Sequence, residues 1–163
     1  MPTVKSWSIG AVEPGLDSNT VTAQLQTAAG SRRLLLVIDA AGLLEGYHLD
    51  ASDQPAEAVA RKFVEDLGKG RYVSARSLLS PNLQEEIPAT KLQLKWQRLQ
   101  RLTGDYVAIK QVLKAESTVD SKLVLVTTQF SRLTDSLFVI LDSNNQIVGV
   151  DFPTEANGPA GAR

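Results

Sequence analysis

The chain has 163 residues, 43% of them apolar and 21% charged, with a formal net charge of −1. That is ordinary composition for one globular domain, or a domain plus a fragment, and the balanced charge leaves no electrostatic footprint for nucleic acid. With no cysteine and a single histidine, disulfides, thiolate chemistry, cysteine-based zinc sites and multi-histidine metal sites are excluded, and no cofactor is expected.

The opening Met1-Pro2-Thr3-Val4-Lys5 carries no apolar signal segment. The compartment is read as cytoplasmic by default, with a removed leader or upstream region as the alternative. Apolar runs such as Leu34–Ile38 are far too short to span a membrane. Residues 1–51 read as an antiparallel β-meander, in which Leu34–Ile38 leads into a turn and then a strand containing Gly46 and His48. A polar stretch from Leu49 to Pro55 follows, rich in capping residues and closed by a proline, as expected of a linker that feeds a helix.

From there the spacing predicts helices. Ala56, Val59, Ala60, Phe63, Val64 and Leu67 recur at one-face helical intervals, and Gly68-Lys69-Gly70 stops the run. A short second helix places Tyr72, Ala75, Leu78 and Leu79 on one side and ends at Ser80-Pro81. A third spans about Pro88 to Thr103, with Leu92, Trp96, Leu99 and Leu102 as its buried stripe and Gly104 as C-cap.

After Gly104 the period changes. Tyr106–Ala115, Lys122–Phe130, Ser136–Leu141 and Gln146–Phe152 read as four strands, the last two joined by a tight turn at Asp142-Ser143-Asn144-Asn145. The expected class is therefore α+β. Three helices pack on a curved antiparallel sheet in a cone-like arrangement over residues 52–153, preceded by the meander. Residues 154–163, rich in Gly, Ala and Pro, are expected to form a flexible tail.

A shift of 103 residues lays the first fifty residues over the last fifty without a gap. Val4 meets Val107, Glu13 meets Glu116, Asp17-Ser18 meets Asp120-Ser121, Leu34 meets Leu137, Asp39 meets Asp142 and Gly46 meets Gly149. On this reading residues 1–51 are the sheet half of a preceding, similar domain whose helices are missing. Such a sheet needs cover. Leu123–Val126 and Leu137–Leu141 are apolar on both faces, which suggests cover on both sides. Val124, Val126, Phe138 and Leu36 are the interface candidates.

Phe63-Val64-Glu65-Asp66-Leu67-Gly68-Lys69-Gly70-Arg71-Tyr72-Val73-Ser74-Ala75 resembles the "FvxxLxxGxYxxA" opening of nuclear transport factor 2-like domains. Trp96 followed by Gly104-Asp105-Tyr106 is similar to that group's step from the third helix into the first long strand. Ile147–Phe152 resembles its closing strand. The likeness covers about residues 53–153 and is greatest to an uncharacterised bacterial family of the superfamily. It implies a cone with a pocket between helices and sheet, a fold that hosts enzymes, ligand binders and dimerisation modules alike.

Tyr72, Trp96, Asp105 and Tyr106 are the pocket candidates. A carboxylate and tyrosines around an apolar pocket can run isomerase-type proton transfer, although each of these residues also has an ordinary structural reading. His48 reads as a strand residue and Glu85-Glu86 as solvated surface. Arg32-Arg33, placed in a hairpin turn, is at most a weak phosphate contact. No catalytic residue and no metal ligand is assigned. The expected function is a non-catalytic interaction or small-ligand-binding module, accessory or self-associating. Its partner would be itself or another protein through sheet faces, or a small apolar ligand. A pocket enzyme of isomerase, dehydratase or hydrolase type is the alternative.

Overall fold

The computed structural model describes residues 3–153, so the expected tail lies outside the described residues. Strands β1 (Val4–Pro14), β2 (Ser18–Thr27), β3 (Gly30–Asp39) and β4 (Leu44–Leu49) come first. Helices α1 (Ala56–Gly68), α2 (Tyr72–Arg76), α3 (Pro81–Glu86) and α4 (Ala89–Thr103) follow, and β5 (Tyr106–Ser117), β6 (Ser121–Phe130), β7 (Thr134–Asp142) and β8 (Ile147–Asp151) close the chain. The strands form two four-stranded antiparallel meanders, β1-β2-β3-β4 and β5-β6-β7-β8. The class is α+β as expected, but the helical layer has four helices rather than three.

The extra helix has a local cause. Ser80 adopts an extended backbone, accepts a hydrogen bond from the Leu83 N–H at 3.3 Å, and is followed by Pro81 at the first helical position. The Ser80-Pro81 pair that was expected to end a helix therefore starts one, and Glu85 and Glu86 lie in it, exposed. Leu78 and Leu79, expected on α2, lie beyond its end, Leu78 in a turn and Leu79 in a bridge to Ile147. On α4 the buried residues are Leu92, Trp96, Leu99 and Thr103, whereas Leu102 is 62% exposed. The stripe follows a 4–3–4 spacing from Leu92, which lands on Thr103 and leaves Leu102 outside it.

The core lies between the helices and one face of the C-terminal sheet. Val59, Phe63, Leu67, Leu92 and Trp96 pack with Val124, Val126, Leu137 and Val139, all essentially inaccessible. A Cβ at Gly68 would sit 2.5 Å from the Tyr106 ring, so only glycine lets α1 approach β5 this closely. Asp66 is fully buried and accepts hydrogen bonds from Lys62 (2.7 Å), Arg71 (2.8 Å) and Ser74 (2.6 Å). Burial works to raise its pKa, but these donors outweigh it and hold the carboxylate ionised, pinning α1 to α2.

The second and third hairpins of the two sheets share one register at a constant offset of 103 residues, whereas in the first hairpin Thr27 pairs with Val4 but Phe130 with Tyr106, and the bulges fall at different places. Ser18 pairs with Asp39 and Ser121 with Asp142; Val21 pairs with Leu36 and Val124 with Val139. The third hairpins correspond down to the bulge, which falls between Val37 and Ile38 in one and between Ile140 and Leu141 in the other. The turns agree as well. Asp39 Oδ1 accepts from the Ala41 and Leu43 N–H groups, and Asp142 Oδ1 from those of Asn144 and Gln146. The positive φ needed there falls on Gly42 in one turn and Asn145 in the other.

A seam joins the sheets. The segment Ser77–Ser80 runs between β4 and β8, with hydrogen bonds on both sides. Toward β8, the Ile147 N–H donates to the Leu78 carbonyl (3.0 Å) and the Ser80 N–H to the Ile147 carbonyl (2.8 Å). Toward β4, the Leu49 N–H donates to the Ser77 carbonyl (2.8 Å), and His48 Nδ1 lies 2.9 Å from the Leu79 carbonyl. Because a carbonyl can only accept, Nδ1 carries the proton in this contact. The Gln84 side chain adds a clamp, donating to the Tyr47 and Leu79 carbonyls and accepting from the Tyr47 N–H.

Truncation of the clamp by Gln84→Ala removes the side chain that bonds the part-buried Tyr47 N–H and carbonyl, and leaves His48 alone on the Leu79 carbonyl. It should cost about 1–3 kcal/mol in denaturant unfolding; a change within error would remove the clamp from the account. Burial, the largest influence on His48, lowers its pKa below the usual 6.5. The unfolded chain then takes up the proton first, so this contribution to stability is complete above the unfolded value and is lost as pH falls toward the folded one. Between about pH 7 and about pH 5 the melting temperature of wild type should fall more steeply than that of His48→Gln. Parallel profiles would contradict a buried neutral imidazole.

Candidate functional site

In an antiparallel sheet, residues directly paired across strands share a face. Trp7 pairs with Leu25 and Leu25 with Arg32; Ile9 pairs with Ala23, Ala23 with Leu34 and Leu34 with Leu49. Val12 pairs with Val21, Val21 with Leu36 and Leu36 with Tyr47. One face of the N-terminal sheet is therefore almost wholly apolar. It corresponds, at the offset of 103, to the face of the C-terminal sheet that the helices bury.

Here the cover is partial. β4 lies beside α2, where the Tyr47 hydroxyl donates to the Val73 carbonyl at 3.0 Å and the Arg76 guanidinium stands 5.5 Å from the Tyr47 ring centre. Between the sheet and the helices is a groove of about 460 Å³, lined by Val4, Leu25, Leu34 and Leu49 on one wall and by Val59, Val73 and Leu78 on the other. Its outer continuation is open. Trp7 is 67% exposed, Ile9 60% and Val12 59%. Such a row of large apolar side chains marks a binding surface more often than idle surface.

The rim is polar and internally neutralised. Arg32 pairs with Asp53 at 2.9 Å and Arg33 with Asp50 at 2.6 Å, around a small polar cleft of about 330 Å³. Burial pushes the Asp50 pKa up, but hydrogen bonds from Ser52 and Arg33 hold it below the usual carboxylate value. Both arginines lie on strand β3, not in the turn, and each already has a carboxylate partner. A second cleft, about 710 Å³, opens between the other face of this sheet and α3, lined by Leu35, Val37, His48, Arg76 and Gln84 among others.

The pocket candidates do not gather in a cavity. Trp96 is 1% exposed and packs against the rings of Tyr106 (centroids 6.2 Å apart) and Phe130 (5.7 Å). Tyr72 and Tyr106 are half-buried against the core. Burial raises both phenol pKa values, with the Glu65 charge adding to that of Tyr106. Asp105 is exposed in a turn, its backbone N–H donating to Ser131 Oγ at 3.0 Å. Among the described residues, none of these four lines the clefts described above, nor do three or more His, Cys, Asp or Glu side chains form a metal-holding cluster.

The interface candidates divide. Val124 and Val126 point into the helix-covered core and are inaccessible, which corrects their reading as an interface. Both faces of β6 are apolar, but these two residues sit on the inner one. Phe138, 41% exposed, lies on the outer face of the same sheet beside Leu125, with Ile140 further along β7. Leu36 lies on the partly covered face of the N-terminal sheet. Trp7, Ile9 and Val12 were not identified by motif, yet the alternation Ser6-Trp7-Ser8-Ile9 marks a strand with one apolar side.

No curated protein and no solved structure gives a significant match to the chain. Residues 60–150 match the family model described as Protein of unknown function (DUF3887), a stretch that begins within α1, ends within β8 and leaves β1–β4 outside. That match spans more than half of the sequence, and the chain belongs to the DUF3887 family.

Proposed function

We propose that this protein is a non-catalytic interaction module that binds a partner through the apolar face of its N-terminal sheet and the adjoining groove. The observation that carries the proposal is the row Trp7, Ile9 and Val12, each more than half exposed on a face that runs into an apolar groove of about 460 Å³. Burial of such side chains is favourable by roughly 1.5–3 kcal/mol apiece, so an open row of them is a standing drive to associate. The outer face of β5–β8, with Leu113, Phe138 and Ile140, offers a second apolar area on the same molecule.

The finer reading is that residues 52–153 form a nuclear transport factor 2-like cone and residues 1–51 the sheet half of a preceding copy. The helices-then-sheet order of the matched region and the register that β2–β4 share with β6–β8 at an offset of 103 support it. A small apolar ligand is a second use for the groove, whose volume lies in the range of small-molecule sites. The pocket-enzyme reading gains no support from the placement of Tyr72, Asp105 and Tyr106.

The test is sedimentation velocity over the micromolar range, combined with titration of an environment-sensitive apolar dye. Wild type should self-associate or take up the dye. Ile9→Asp should suppress that behaviour while leaving the melting temperature nearly unchanged, because the side chain is mostly in water already. A monomer that binds no dye, and behaves as the variant does, would sink the proposal.

A further inference from the structure

We propose that the cleft between the outer face of the N-terminal sheet and α3 is a small-molecule site. In it, His48 Nε2 accepts a hydrogen bond from the hydroxyl or N–H of an uncharged, mostly apolar ligand of the phenol or indole class. The proposal goes beyond the interaction-module reading, because Leu35, Val37 and His48 lie on the opposite face of the sheet from Leu34, Leu36 and Leu49.

The observation behind it is a buried histidine with one ring nitrogen held and the other free. His48 is 5% exposed, and its Nδ1–H is taken by the Leu79 carbonyl at 2.9 Å. The lone pair therefore sits on Nε2, and burial, which lowers the pKa, keeps the ring neutral. Among the described residues Nε2 has no hydrogen-bond partner, yet no fully buried side-chain nitrogen or oxygen lacks one. Nε2 thus reaches an opening. His48 lines two: the cleft of about 710 Å³ beside α3, and a smaller one of about 230 Å³ beside Asn144 and Gln146.

The larger cleft sets the rest of the ligand. Leu35, Val37, Pro81 and Pro88 give it apolar walls, and Gly46 adds no side chain to fill it. Gln84 is committed to Tyr47 and Leu79, and Arg76 donates to the Gln84 and Ile87 carbonyls. Exposed Glu45 and Glu85 also line the cleft and disfavour an anion. What remains is one buried acceptor in an apolar cleft whose volume suits a small molecule. A ligand with an apolar body and a single donor satisfies it.

His48 is the only histidine in the chain, so its imidazole nitrogen resonances are read without ambiguity. The probes titrated into the full chain are p-cresol, its methyl ether, which has no donor, and the anion p-toluate. Expected are a saturable shift of the Nε2 resonance with p-cresol, roughly three- to tenfold lower affinity for the ether, and no binding of p-toluate. In ligand-observed NMR, His48→Phe should lower the affinity for p-cresol by a similar factor. Gly46→Leu should abolish binding. Its added Cβ meets only Gln84 and Val37 atoms at 3.8–3.9 Å, so this variant should fold even if His48→Phe does not.

No saturable shift, equal affinity for p-cresol and its ether, or binding indifferent to Gly46→Leu overturns the proposal. If p-cresol leaves the His48 resonances in place and shifts the Trp7 indole N–H instead, the ligand sits on the inner face. That result overturns this site and leaves the interaction-module reading standing.

Discussion

The segment Ser77–Ser80, hydrogen-bonded to β4 on one side and β8 on the other, is the constraint on which the rest of the arrangement depends. A four-stranded sheet with one apolar face does not hold itself in place. This one is held because Ser77 and Leu79 offer backbone carbonyls to β4 while Leu78 and Ser80 serve β8. The alternation along the segment does for two sheets what a shared strand does within one. His48 and Gln84 are buried polar residues whose side chains hydrogen-bond into the seam.

Holding β4 beside α2 has a functional consequence. It sets the apolar face of the N-terminal sheet against the outer side of α1 and α2, but covers only the half nearest the seam. Ala23 becomes buried, and Leu34 and Leu49 become groove wall, while β1 is left with every residue exposed. The gradient from seam to open edge is what separates this sheet from the C-terminal one, where the same positions are sealed by Phe63, Trp96 and their neighbours. The two sheets thus share their second and third hairpins and differ in how far helices cover them and in the bulges of the first hairpin.

Much of this was legible in the sequence, for identifiable reasons. The α1 stripe and the β5–β8 strands follow from periodicity over long segments, and the 103-residue offset from matched turn residues such as Asp39 and Asp142. The misreadings are local. Ser80-Pro81 looks the same whether it ends one helix or starts another, and Leu102 differs from Thr103 only through the geometry of the stripe. Val124 and Val126 could not be assigned to a face while both faces of β6 read as apolar. The seam was not readable at all, since its contacts join Leu49 to Ser77 and Leu78 to Ile147, pairs with no shared pattern. The exposed row on β1 was readable from its alternation; what could not be read was that no helix of the described residues lies over it.

The account depends most directly on the seam making the two sheets one cooperative unit, and native-state hydrogen exchange of the full chain measures that. The amides of β4, the Leu49 N–H above all, should open together with those of β8 and α1, at a free energy close to that of global unfolding, while β1 exchanges faster from its open edge. Exchange of β1–β4 as a separate block, well before β5–β8, would show the N-terminal sheet to be an independent and weakly held element, and would contradict the account.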